Sequence, residues 1–309
     1  MSRSAPRAAR KTAAPAQPGR VVAAYGRRFR VEVADGALFD CVTRGKTRDV
    51  ACGDRVHVAQ TGPGLAVIES VAPRTSLFYR SDVFREKFFA ANVSQIVAVV
   101  APVPTPHFDL LDRCLVAAEH AGIAAFIVAN KNDKPEFEAF WSALSVYRDL
   151  GYRTLPLNAK ADVTTLAPLL AQKVSILVGQ SGMGKSTIIN RLVPDAAART
   201  GALSTALDSG THTTTHAELF HLPGGGDIVD SPGMQAFGLN HIEPRELAEG
   251  YRELRPLAAE CRFRDCLHLQ EPGCAVNAAV AAGRITALRY GSYRRLVEER
   301  LAQEKRQPY

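Results

Sequence analysis

No apolar run in the chain approaches membrane-spanning length. The longest, such as Ile96 to Val103, fall far short of the ~20 residues that a helical span requires. No secretory-type hydrophobic segment is present either, so no membrane partner is expected. Cysteine is sparse. Six are spread over 309 residues, at 41, 52, 114, 261, 266 and 274, and in a chain this long they do not suggest a disulfide scaffold. A reducing, cytoplasmic setting is the expectation. Acidic side chains are missing from residues 1–19, where Arg3, Arg7, Arg10 and Lys11 carry charge among Ala, Pro and Ser. That stretch reads as a disordered basic tail, either a solvated arm touching nucleic acid or an organelle transit peptide.

The remaining composition is that of a globular chain with room for two or three domains. Hydrophobic residues make up 46% and charged residues 22%, and the net charge of +7 is compatible with a polyanionic partner. Residues 20–75 hold about five short alternating runs punctuated by glycine, which predicts a small OB-like β-barrel. Arg27, Arg28, Arg30, Arg44, Lys46, Arg48 and Arg55 give it a basic face, suited to RNA or simply to a docking module. Residues 76–92 read as a polar, aromatic linker. From 93 to 243, strand-like and helix-like runs alternate: strands at Gln95–Val100, Ile123–Val128 and Thr154–Leu157, helices at Asp109–Ala121, about 136–150 and about 163–171. This alternation predicts an α/β unit with a mostly parallel sheet and helices on both faces.

The chemistry concentrates in Gly179-Gln180-Ser181-Gly182-Met183-Gly184-Lys185-Ser186-Thr187, which fits G-x-x-x-x-G-K-[ST]. A β-branched run precedes it and a helix-like run follows. Its glycines let backbone N–H groups turn inward around phosphate oxygens, with the helix N-terminus adding positive charge. Lys185 is assigned to the β- and γ-phosphates, and the Ser186 hydroxyl to Mg²⁺.

Asn130-Lys131-Asn132-Asp133 has the guanine-reading form N-K-x-D. A carboxylate at Asp133 accepts from guanine N1–H and its exocyclic amine together. Adenine offers neither donor there, and the carboxylate would go unpaired at about 1–3 kcal/mol. Lys131 can lie along the base plane while Asn130 ties the loop to its surroundings. Asp230-Ser231-Pro232-Gly233 has the D-x-x-G form, with Asp230 holding Mg²⁺ through water and the Gly233 N–H sensing the γ-phosphate. Between these lies Ser209 to His216, rich in hydroxyls, where Thr213 or Thr214 would complete the Mg²⁺ shell. The guanine motif thus precedes the phosphate loop, the reverse of the usual order. A circular permutation of the same sheet explains this, since folding needs contacts rather than one particular starting point.

Cys261, Cys266, His268 and Cys274 bring three thiolates and an imidazole together near the end of the chain. That donor set suits a closed, structural, tetrahedral Zn²⁺. Residues 244–309 are therefore read as a zinc-binding helical domain, with so little apolar core that removing zinc should unfold it. Arg284, Arg289, Arg294, Arg295 and Arg300 lie along its helices and could grip nucleic-acid phosphates. Cys41, Cys52 and Cys114 read as packing residues.

Taken together, the permuted motifs, the preceding barrel and the segment Cys261 to Val276 resemble the RsgA (YjeQ) family of ribosome small-subunit-dependent GTPases, over about residues 20–300. The resemblance implies a cytoplasmic, monomeric GTP hydrolase that yields GDP, acts late in small-subunit maturation and is stimulated by that subunit and its rRNA. It also implies that Asn158 and Ala159 contact the base, although the family's usual Ser-Ala reads Asn-Ala here, and that His212 is a switch histidine. Met234 occupies the place where other GTPases often carry a water-positioning Gln, and a thioether cannot orient water. His212 is the first candidate for that role and Gln235 the second. Two rivals stand beside this reading. One is a translation factor or RNA-binding regulator using GTP as a switch. The other is a small-molecule kinase, against which the guanine motif and the lack of an evident acceptor pocket argue.

Overall fold

Phe29, Val31 and Val33 are buried while the residues between them face outward, the period-two pattern of a strand with one covered face. The barrel strands are β1 (Gln17–Tyr25), β2 (Arg28–Val33), β3 (Leu38–Thr43), β4 (Arg55–Gly62) and β5 (Leu65–Val71); β3 and β5 alternate in the same way, whereas β1 buries Val21, Val22 and Ala23 in a row beside a bulge. The chain is described here from a computed structural model covering residues 16–45, 49–81, 86–194, 196 and 216–306. Pairing runs β1–β2–β3–β5–β4 and returns from β4 to β1, which closes a five-stranded barrel around Val21, Phe29, Val31, Val58 and Ile68. The barrel begins at Gln17, inside the stretch read as a tail. Lys46 and Arg48, counted in its basic face, lie outside the described residues. Arg30 is half-buried and paired with Asp40, whereas Arg27, Arg28 and Arg55 are exposed.

Residues 76–92 were expected to be a linker. They carry instead an antiparallel hairpin, β6 (Leu77–Ser81) and β7 (Glu86–Ala91). Phe78 and Phe89 are its buried rings, packed with Ala90 into the largest core of the molecule. Apolar anchors set among Arg80, Glu86 and Lys87 look polar on average, but burial of two rings is what fixes the hairpin.

The α/β unit follows: β8 (Gln95–Val100), α1 (Phe108–His120), β9 (Ala124–Asn130), α2 (Phe137–Ala143), α3 (Ser145–Asp149), β10 (Thr154–Leu157), α4 (Ala167–Leu170), β11 (Val174–Val178), α5 (Lys185–Leu192), β12 (Ala217–His221) and β13 (Asp227–Asp230). Strands β10, β9, β8, β11 and β13 are parallel in that order, and β12 is antiparallel to β13. Every residue of β8 is buried. Ile96, Ala98 and Val100 enter one core and Val97 and Val99 the other, as a sheet covered on both faces demands. The helix expected over about 136–150 divides at Leu144. β12 then pairs with β1, so the barrel and the α/β sheet are one hydrogen-bonded system of eleven strands.

A 3₁₀ turn (Leu247–Gly250), α6 (Arg255–Ala258), α7 (Ala275–Ala281) and α8 (Ala287–Arg306) complete the described chain. Here the expectation of a module with little apolar core is corrected. Tyr251, Leu254, Val276, Tyr293, Leu296 and Val297 are buried in the same core as α1. Two arginines assigned to phosphate gripping are also buried. Arg289 pairs with Asp112 and Glu253, and Arg300 donates to the Ile242 carbonyl at 3.1 Å. Arg295 reaches Asp109 at 2.9 Å and Arg294 reaches Glu298 at 3.3 Å, both from the exposed side.

Candidate active site

β11 ends in the glycine-rich loop and α5 starts at Lys185, the strand–loop–helix order that the motif requires. Gly184 has φ +98° and sits so close to the Asn130 amide that a Cβ there would collide with it. Asn130 lies at the C-terminal end of β9, where α/β sheets place ligand-contacting loops, and is buried. Its Nδ2 donates to the Met183 carbonyl at 2.9 Å, and its Oδ1 accepts from the Ala159 amide at 3.0 Å. One side chain thereby joins the phosphate loop, the guanine motif and the loop at Asn158. Lys131, held at φ +62°, donates from Nζ to the carbonyls of Val103 (2.7 Å) and Gly182 (2.8 Å).

These loops enclose a cavity of about 390 Å³. Asn130, Lys131, Asp133, Asn158 and Ala159 line one part of it. Ser181, Gly182, Gly184, Lys185, Ser186, Thr187 and Gly233 line the other. Gly179, Gln180 and Met183 instead border a small pocket beneath the loop, so they shape the cradle from behind. Lys134, Lys160 and Ser231 also line the main cavity and were missed as site residues. Each is the neighbour of a motif position, the signal that could have found it. Ser231 Oγ donates to the Leu177 carbonyl at 2.5 Å, tying the end of β13 to β11.

The charges are unusually buried. Lys185 donates to the carbonyls of Gly179 (2.7 Å) and Gln180 (3.2 Å), and burial pulls its pKa down while Asp230 opposes that shift. Burial pushes the Asp230 carboxyl up to about 6, against the attraction of Lys185. Asp230 Oδ1 is buried without a hydrogen-bond partner among the described residues. A buried carboxylate oxygen beside a phosphate cradle fits a divalent cation and its water shell. Burial, with help from Lys134 and Lys160, lowers the Lys131 pKa. Asp133 is partly exposed at the cavity mouth, 3.5 Å from Lys134 Nζ.

Met234 is buried, and its amide donates to the Gly179 carbonyl at 3.2 Å. Gln235 lines a different cavity, beside Arg113 and Glu299. His212, Thr213 and Thr214 lie outside the described residues.

Cys261, Cys266, His268 and Cys274 form a second centre, with ligand atoms all within 4.8 Å of one another. Cys261 and Cys274 sulfurs are 3.8 Å apart, and His268 Nδ1 lies 3.3 and 3.5 Å from them. Zinc–sulfur bonds of about 2.3 Å give tetrahedral edges of about 3.8 Å, so the donor set fits such an ion. The loop is held in shape from within. Glu271 accepts from the amides of Leu267 and Leu269 at 2.8 Å, and the hydroxyls of Tyr290 and Tyr293 donate to the carbonyls of His268 and Leu267.

Comparison with known proteins gives concordant results. The RsgA GTPase family model matches residues 71–240. The small ribosomal subunit biogenesis GTPase RsgA of Nitrosomonas europaea is 48% identical over 293 residues, spanning 94% of this chain and 93% of that protein. The protein of the same description from Bordetella pertussis is 47% identical over 289 residues, spanning 92% and 96%. Among solved structures, YjeQ from Thermotoga maritima superposes with a TM-score of 0.71 at 30% identity, covering 93% of this chain and 99% of that one. YloQ, described as a circularly permuted GTPase, gives 0.67 at 27% identity, covering 98% and 100%.

Proposed function

The chain belongs to the RsgA GTPase family, and on that premise we propose that it hydrolyses GTP during maturation of the small ribosomal subunit. Binding of the subunit stimulates turnover, and GDP formation releases it. The observation that carries this reading is the double anchorage of Asn130 to Met183 and Ala159. Base-reading and phosphate-binding loops fastened through one buried amide hold guanine and triphosphate at a fixed spacing, and positioning of this kind is the main resource in phosphoryl transfer.

The residues take the following roles. Asp133 reads the guanine edge, with Lys131 along the base and Asn158 and Ala159 closing its far side. The backbone from Gly179 to Thr187 cradles the phosphates, and Lys185 leaves its loop carbonyls for the β- and γ-oxygens. Ser186, Thr214 and Asp230 would hold Mg²⁺, with Thr213 as the other register, and the bound ion would neutralise charge developing on the phosphates. Gly233 senses the γ-phosphate. His212 orients the attacking water, a task that the buried thioether of Met234 cannot perform, with Gln235 as the second candidate. Cys261, Cys266, His268 and Cys274 would hold one structural Zn²⁺, which stiffens the loop between α6 and α7. The protein works as a cytoplasmic monomer, and the exposed arginines of the barrel face rRNA phosphates.

The test is GTP turnover with and without purified small subunits, using ATP as control and the His212→Ala variant. Subunits are expected to accelerate GTP but not ATP hydrolysis. His212→Ala is expected to retain GTP binding and lose about 10²-fold or more of the stimulated rate, the usual scale for such a group. Equal uptake of adenine and guanine nucleotides would overturn the reading, and unchanged stimulated turnover would remove His212 from it.

A further inference from the structure

The segment that follows Asp230-Ser231-Pro232-Gly233 does not run free to the C-terminal helices. It lies along β6. The Ser81 amide donates to the Gly238 carbonyl at 3.0 Å, and its carbonyl accepts from the Asn240 amide at 3.3 Å. Ser81 Oγ accepts from the His241 amide and pairs with His241 Nδ1, both at 2.7 Å. Arg80 Nη1 donates to the Ala236 carbonyl at 2.6 Å. Phe237 stacks against Phe89 and tilts against Phe78, with ring centroids 5.8 and 5.3 Å away.

The other end of the hairpin holds the barrel. The Ala91 amide donates to the Cys52 carbonyl at 2.8 Å, Asn92 Nδ2 donates to the Gly53 carbonyl at 3.1 Å, and Gly53 lies so close to Ala91 that no side chain fits there. One short hairpin therefore touches both the turn between β3 and β4 and the residues next to the γ-phosphate sensor.

The contact also leaves room for change. Arg80 Nε and Asn240 Oδ1 are buried without hydrogen-bond partners among the described residues. Both residues line a cavity of about 400 Å³, together with Gln235, Arg113 and Glu299. Two unpaired buried groups beside open space mark an arrangement that another position of the segment could satisfy better. A strap serving only to hold a loop would not need either feature.

We infer that β6 positions the γ-phosphate-sensing segment, with Arg80 a positioning residue for GTP hydrolysis through its grip on Ala236, so that the hairpin carries engagement of the barrel to the site. This rests on the subunit-stimulated GTPase function proposed above. Arg80 touches no reacting atom. Its effect passes through the backbone between Gly233 and Ala236, and so falls on the rate of the stimulated step rather than on nucleotide binding.

The test uses full-length Arg80→Ala and Arg80→Lys with purified small subunits. For Arg80→Ala, stimulated kcat is expected to fall about tenfold while KM for GTP and GDP affinity stay within about twofold of wild type. Arg80→Lys, which keeps a donor for Ala236, is expected to recover most of the loss. Unchanged kcat, or a fall in kcat matched by lost GDP affinity, overturns the inference. A reporter independent of subunits is Phe237→Trp in a Trp141→Phe background, which leaves a single tryptophan at the contact. Its emission is expected to differ between the GDP and non-hydrolysable GTP forms, and identical emission overturns the inference. If wild type shows no stimulation, the proposed function fails, and this reporter alone decides whether the segment moves.

Discussion

The two flanking modules are fastened to the α/β core in opposite ways. The barrel joins through strand pairing, Ala23 opposite Glu218 and Ala24 opposite Ala217, beside an ion cluster that water reaches. In that cluster Arg20 meets Asp227 at 2.5 Å, and His221 bridges Asp227 (2.6 Å) and Glu32 (2.8 Å) with half of its side chain exposed. The C-terminal helices join through a core that excludes water. Arg289 and Asp112, each 1% exposed, pair there with Tyr147 and Glu253 around them, and the Arg289 guanidinium lies 4.6 Å from the Tyr251 ring. Charges left near solvent lose little when a partner goes, whereas charges sealed from it lose much. The ion cluster at the strand junction can therefore adjust at less cost than the sealed pair on the helical side. The segment after Gly233 runs between the two, with Phe237, Leu239 and Ile242 in the shared core and Ala236, Gly238 and Asn240 hydrogen-bonded to β6.

The comparison breaks most easily at Arg289. Replacing it by Ala strands Asp112 and Glu253 in the core and is expected to cost about 3–5 kcal/mol in denaturant unfolding. Arg20→Ala, at the other junction, is expected to cost about 1 kcal/mol or less. Equal losses would erase the distinction. Chelation sharpens it further. With the proposed Zn²⁺ removed from metal-loaded protein, the loop from Cys261 to Cys274 is expected to lose amide-exchange protection, while Tyr293, Leu296 and Val297 keep α8 docked on α1. Release of α8 together with the loop would mean that the zinc site, not the shared core, holds the C-terminal helices in place.

What could be read in advance was whatever lies contiguous in the chain. The phosphate loop, the guanine motif, the cysteine cluster and the all-apolar Gln95–Val100 announce themselves within a few residues of sequence. What escaped depends on partners far away. Arg289 reads as one more surface arginine because Asp112, its counter-ion, is 177 residues distant. Lys160 and Ser231 become site residues only when three strand ends converge on one cavity. The hairpin was hidden because Phe78 and Phe89 are anchors spaced among charged neighbours, and only the core they enter distinguishes them from exposed rings. The permuted order was legible, but not its consequence that the segment after Gly233 lies on β6.

The smallest expected effect belongs to the adjustable junction and depends on pH. Burial alone would lower the pKa of His221, but hydrogen bonds to Asp227 and Glu32 and the charges of those carboxylates outweigh it, so the net shift is upward from 6.5. Protonated His221 is therefore favoured in the folded state. Its contribution is complete below 6.5 and disappears as pH rises through the elevated folded value. Arg20 already shares Asp227, and His221 is half-exposed, so the gain stays below about 1 kcal/mol. Wild type is expected to melt above His221→Gln at pH 6, with the gap closing as pH rises through the elevated folded value. At the sealed junction Arg289 holds its charge across this whole range, so the cost of Arg289→Ala should not follow the same curve. A His221→Gln difference that is constant with pH would mean that the imidazole acts there by packing rather than by charge. The junction would then rest on its strand pairing and the Arg20–Asp227 pair, beside the hairpin's contacts at Cys52 and Gly53.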